Sequence, residues 1–199
     1  MLYQTLLKVL ILSLLNTNAG FAQDFATTEQ ELSGRSVVLF GPSPKDWEGV
    51  KAPDEVTFLQ IYDISTVSPS EARPLDDDTL KVRLSAFKNL RAILLFAPHA
   101  TDNLFTSLSE LEKLEVVAIS KSRVTDDGLM KIRHAKKLRI LAIWESHASE
   151  NGARQLNSLN GQLNVEVTSD DKNGMYLNRS GYPTSALLKE IKQAAGVSL

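Results

Sequence analysis

Three histidines are the first residues to test for chemistry, because imidazole serves near neutral pH both as a general base and as a metal ligand. His99 and His147 stand 48 residues apart, with His134 between them. Two steps of ordinary strand spacing put His99 and His147 about 10 Å apart in a stack, too far to share one ion. They read as loop-corner residues. The chain has no cysteine, which removes disulfides, thiolate zinc sites and cysteine nucleophiles. Asp76-Asp77-Asp78 reads as a helix N-terminus before it reads as a ligand set, since acids favour the positive end of a helix. Ser169 to Gly174 faintly echoes a calcium loop. Its first position is Ser169, however, and its twelfth is Ser180 rather than Glu, so the match fails. No G-x-S-x-G, Walker A, G-x-G-x-x-G or H-E-x-x-H pattern is present. The expectation is no catalytic residue, no metal site and no cofactor.

A second chemistry is adhesive. Tyr62, Phe96 and Trp144 fall in one register with Ser120, and Leu94 stands two residues before Phe96. Aromatic side chains anchor interfaces because each buries a large area at low entropy cost. Whether this set can bind anything depends on the elements that carry it.

Those elements repeat. Leu90-Arg-Ala-Ile93-Leu-Leu95-Phe96, Leu114-Glu-Val-Val117-Ala-Ile119-Ser120 and Leu138-Arg-Ile-Leu141-Ala-Ile143-Trp144 align without a gap at a spacing of 24. Each is apolar at relative positions 1, 4 and 6, as in a short strand sending alternate side chains into a core. Thr101-Asp102, Thr125-Asp126 and Ser149-Glu150 recur in the same frame, as helix caps followed by an acid. Asp77 stands one period upstream as a further cap. Leu84, Leu108, Ile132 and Leu156 keep the frame, as do Phe87, Leu111, Ala135 and Leu159. Leu163 to Val167 reads as a last strand, and Val37–Phe40 and Val56–Ile61 as earlier ones. Matching Leu59 and Ile61 to Ile93 and Leu95 gives a wider spacing of 34, whose excess lies in a Ser65–Pro74 loop.

Lys121-Ser-Arg-Val-Thr-Asp-Asp-Gly-Leu-Met-Lys-Ile132, followed by Leu138 to Ile143, resembles the V-T-D-x-G-L type of bacterial leucine-rich repeat, which is similar to ribonuclease-inhibitor and F-box-associated repeats. The resemblance covers residues 77 to 168. It implies an α/β leucine-rich-repeat solenoid, with short parallel strands on the concave side, helices on the convex side, and recognition of a protein or peptide rather than catalysis. The sequence departs from the type at the strand-to-loop corner, which holds Pro98, Ser122 and Ser146. The serines can bond the loop backbone and Pro98 cannot, so the Pro98 corner is expected to be irregular. Leu104 stands where later units have Gly128 and Gly152.

In this frame Ile93 and Leu95 point inward. The outward rows are then Gln60, Leu94, Ala118, Ala142, Glu166 and Tyr62, Phe96, Ser120, Trp144, Thr168. The candidate binding residues are Tyr62, Leu94, Phe96, Ser120 and Trp144. Three readings of them stand: an open concave face, rings covered by the C-terminal segment, or a strand frame shifted by one residue.

The flanks complete the division. Residues 1–22 read as a signal peptide, with Lys8, a short apolar stretch Val9–Leu15, and Gly20 and Ala22 at the −3 and −1 cleavage positions. Seven residues, six of them apolar, are too few to span a bilayer, and no span is expected after cleavage. Residues 23–76 are expected to hold an N-terminal cap and irregular first repeats. Residues 169–199 are expected to cap the C-terminal end, with a helix near Thr184–Ala195 stopped by Gly196. Asn178-Arg-Ser180 matches a glycosylation acceptor. A net charge of −2, with 23% charged residues, gives no basic field for nucleic acid. The basic run Lys131–Arg139 reads as a solvated helix and turn.

The expected function is non-enzymatic binding of a protein or peptide, secreted or in the periplasm or cell envelope. The alternatives are a self-associating structural envelope component and a hydrolase with a site on the Ser65–Pro74 loop. On the open-face reading, replacing Phe96 and Trp144 by Ala abolishes partner capture and leaves the fold intact.

Overall fold

The structure is a computed structural model and describes residues 36–40, 47–63, 74–169, 174–177 and 183–196. The signal segment, most of the Ser65–Pro74 loop and Asn178–Ser180 lie outside the described residues. Six strands form one parallel sheet in chain order: β1 (Ser36–Phe40), β2 (Phe58–Tyr62), β3 (Ala92–Phe96), β4 (Val116–Ser120), β5 (Ile140–Trp144) and β6 (Asn164–Thr168). Four helices alternate with the later strands: α1 (Asp77–Leu84), α2 (Asp102–Ser109), α3 (Asp126–Lys131) and α4 (Glu150–Leu159). A fifth, α5 (Ser185–Ala194), follows β6. The architecture is therefore α/β with a single open parallel sheet.

The register follows the spacing in the sequence. Ala92 pairs with Val116, Val116 with Ile140 and Ile140 with Asn164, each 24 residues on. Leu59 pairs with Ile93 across the wider spacing. Asp63 closes that excursion: its buried carboxylate accepts the Leu75 N–H at 2.9 Å, tying the chain before the loop to the chain after it.

Both faces of the sheet are buried, by different helices. Ile93, Leu95, Val117, Ile119, Leu141 and Ile143 pack in one core with α1–α4, through side chains such as Leu84, Leu108 and Leu156. Ala92, Leu94, Val116, Ala118, Ile140 and Ala142 pack in a second core with Leu187 and Ile191 of α5. The helix expected to cap the C-terminal end lies instead across the middle of the second face, against β4. Ala92, Ala118 and Ala142 leave room for a helix there. Its start is capped by Thr184, which accepts the Leu187 N–H, and its end meets Gly196 at φ 79°.

Successive units are joined by carboxylates. Asp102 accepts the Thr125 N–H and Oγ1–H at 2.7 and 2.8 Å. Asp126 accepts the Ser149 N–H and Oγ–H, both at 2.7 Å. Asp77 accepts the same two groups of Thr101. The acid after each cap thus binds the cap of the next unit, a role beyond the helix dipole. Asp77 is not itself the cap of α1. Asp76 is, accepting the Thr79 N–H at 2.9 Å, and hydrogen bonding from the Thr79 side chain, then from its N–H, holds the Asp76 carboxyl below the usual range.

The same carboxylates account for two glycines. A Cβ on Gly128 would overlap the Asp102 carboxylate, and one on Gly152 would overlap that of Asp126. Because α1 begins one residue earlier in the frame, Asp77 sits one position back from where Asp102 and Asp126 sit. The equivalent position in α2 then carries a side chain, the fully buried Leu104.

Gly152→Ala should lower stability by about 2 kcal/mol, because the added methyl displaces a bonded carboxylate. In an Asp126→Ala background the same change should cost nothing or stabilise slightly, as alanine is the better helix former. Equal losses in both backgrounds, measured by denaturant unfolding, would refute the overlap.

Candidate functional site

The register brings the candidate residues together. Tyr62 pairs with Phe96, Phe96 with Ser120 and Ser120 with Trp144, so four side chains stand side by side on β2 to β5. Leu94 lies in the neighbouring row. They are not all at the surface. Leu94 is 8% exposed and Trp144 6%, both within the second core under α5 and Tyr176. Tyr62, Phe96 and Ser120 remain half-buried. The fully open face is therefore corrected to a partly covered one, and for Trp144 and Leu94 covering by the C-terminal segment is the observed arrangement. The double alanine variant also changes meaning. Trp144→Ala empties part of a core and should cost about 3 kcal/mol of stability, so it cannot report on binding alone.

What covers the second face is fastened by named groups. The Glu166 carboxylate accepts the N–H groups of Tyr176 at 2.9 Å and Leu177 at 3.2 Å, and that of Met175. It is a backbone clamp rather than a wet member of the outward row. Gly174 is needed beside it, since a Cβ there would overlap the same carboxylate and the Thr168 methyl. Arg139 bonds Glu190 of α5 at 3.0 Å and also Glu115 at 3.3 Å, and Glu115 bonds Arg91 at 3.0 Å. These charges are partly solvated, and such pairs contribute roughly 0.2–1 kcal/mol each. Burying each of Leu187, Leu188 and Ile191 contributes roughly 1.5–3 kcal/mol. Apolar burial holds α5 down, and the ion pairs set its position along the sheet.

The rim beside the aromatic row carries features that the sequence analysis missed. Lys121 and Glu145, 24 residues apart, both follow a strand with φ of 53° and 46°. Their ammonium and carboxylate are 3.5 Å apart, and the Lys121 ammonium stands 5.6 Å from the centre of the Trp144 ring. Ala97, the equivalent residue on β3, does not take positive φ. Pro98 biases the residue before it toward extended backbone, and the β3 corner accordingly lacks the positive φ of the two later ones. Ser146 Oγ accepts the Ala148 N–H at 3.1 Å as expected, whereas the buried Ser122 hydroxyl has no partner. Gln60 is fully buried, with its Oε1 accepting the Tyr62 hydroxyl at 3.3 Å.

Elsewhere the candidates stay apart. Among the described residues no three His, Asp or Glu side chains converge as metal ligands. Lys131 bonds Asn103 and Arg133 bonds the Met130 carbonyl, while Lys136 and Lys137 are exposed. A cleft of about 450 Å³ between the C-terminal ends of α1 and α2 is lined by Lys81, Lys88, Lys113, Glu110 and Glu112 among others, away from the aromatic row. No described helix is long and apolar enough to cross a membrane. The chain matches no protein-family model and no curated protein in sequence.

The Tyr176 phenol is pushed above its usual value of 10.0, first by burial and then by the negative charges of Glu190 and Glu166, with Arg139 opposing. A phenol with a raised folded-state pKa contributes its stability below pH 10 and loses it as pH rises through the folded value. The cover over the second face should therefore loosen above pH 10, and Tyr176→Phe should abolish that loss. Ultraviolet titration of the tyrosines with parallel circular dichroism tests this. A Tyr176→Phe chain with the same alkaline transition counts against it.

Proposed function

We propose that the chain is a leucine-rich-repeat protein of the V-T-D-x-G-L type that binds a protein or peptide outside the cytoplasm and carries no catalytic site. The solenoid reading is supported by the 24-residue strand register and by the Asp ladder, which gives the D and the G of the motif a shared physical role. The export reading rests on residues 1–22. N-terminal sequencing of the secreted or periplasmic protein should begin at Gln23, and an intact Met1 on exported material would overturn it.

One observation carries the binding reading. With α5 covering Leu94 and Trp144, the contiguous row still leaves Tyr62, Phe96 and Ser120 half-buried at the surface. Two adjacent rings suit an apolar anchor for a bound segment. The bound segment would lie across the carboxyl ends of β2–β4, next to the Lys121 ammonium. A photo-crosslinker at Ser120 should attach to the partner in an envelope extract. Tyr62→Ala and Phe96→Ala should each weaken that partner's binding by tenfold or more, with melting temperature followed in parallel. Undiminished affinity in both variants would rule the row out.

A further inference from the structure

We propose that the C-terminal end of the sheet, built by α4 and β6, is an interface between two copies of this chain. Since α5 lies on the sheet face, it does not cover this end. The consequence appears at positions that are closed in earlier units. Leu159 occupies the frame position of Phe87, Leu111 and Ala135; the first and last of these are 2% and 4% exposed and Leu111 is half-buried, yet Leu159 is 62% exposed. Val165 and Val167 are half-buried, where their partners Leu141 and Ile143 are fully buried. The carboxylate series also ends here, with Glu150 beside Arg154.

The chemistry of this end favours its own copy. Residues 155–165 contain no charged side chain, and the charges that α4 and β6 do carry are satisfied among themselves: Glu150 and Arg154 stand 3.8 Å apart, and Glu166 takes the Tyr176 and Leu177 N–H groups. Edge strands are ordinarily guarded by lysine or proline, and β6 has neither. The polar groups here include the carboxamides of Asn157, Asn160 and Gln162. A carboxamide both donates and accepts, so it can pair with an identical group across a twofold axis, where two identical charges would repel. The contact is one of side chains rather than a continued sheet. Asn157 Oδ1 already accepts the outward Val165 N–H at 3.0 Å and its Nδ2 donates to the Val165 carbonyl, closing the ladder at its centre. Leu159, Val165 and Val167 form the apolar centre, and Asn160 and Gln162 its rim.

Sedimentation of the purified chain over a range of concentrations should show mass rising from one chain to two. Leu159→Glu should weaken the dimer at least tenfold, with an unchanged circular dichroism spectrum. Val82→Glu, at a side chain 69% exposed on α1, should leave it intact. Because the chain has no cysteine, Gln162→Cys should give a covalent dimer on mild oxidation and Val82→Cys should not. A single-chain mass at every concentration overturns the proposal. So does a dimer indifferent to Leu159→Glu, or one in which Val82→Cys crosslinks and Gln162→Cys does not.

Discussion

A parallel sheet whose central strands are almost wholly apolar cannot leave either face in water. That constraint organises the rest of this molecule. The helices between strands cover one face through Leu84, Leu108 and Leu156. The other face, carrying Leu94, Ala118, Ala142 and Trp144, is equally apolar and takes α5 from the C-terminal part of the chain. What stays half-buried is the rim at the carboxyl ends of the strands, where Tyr62, Phe96 and Ser120 emerge. Among the described residues, what is left uncovered at the side is the end at Leu159. Both functional proposals concern surface that remains after this burial is satisfied.

The second organising element is polar. Asp77, Asp102 and Asp126 each take both the N–H and the hydroxyl of the next cap, so the polar groups of these caps are satisfied within the chain. The bonds leave no room for Cβ at Gly128 and Gly152, and the shift of Asp77 by one residue goes with Leu104 at the same position. Local pattern and long-range packing agree here. Glu166 applies the same chemistry to another task, holding residues 175–177 against the sheet through their N–H groups.

Much of the fold was legible in the sequence. The spacing of 24 placed β3 to β6 in register, the match of Leu59 to Ile93 placed β2, and Ser149 and Thr101 cap their helices as expected. The site was legible only in part. Alternation showed which side chains share a face but not what covers that face. A signal was nonetheless present: Ala92-Ile-Leu-Leu-Phe96 and Ile140-Leu-Ala-Ile-Trp144 are continuous apolar runs, the mark of strands buried on both sides. The apolar positions of Leu187, Leu188 and Ile191 supplied the complementary surface. The left-handed corners at Lys121 and Glu145 had no signal, since neither residue type favours positive φ.

By itself the sequence determined the units, their register and the caps at Thr101 and Ser149, because these depend on residues near each other in the chain or repeated at one spacing, whereas α1 is capped by Asp76 rather than Asp77 and the Thr125 side chain caps no N–H of α3. Only the tertiary structure decided where the C-terminal helix lies, and hence that Trp144 and Leu94 are core while Tyr62 and Phe96 stay half-buried. An amphipathic helix states that it must bury a face but not against which surface, and here a sheet face and an open end both competed for it. The larger apolar area, with alanines that permit close approach, lies on the sheet.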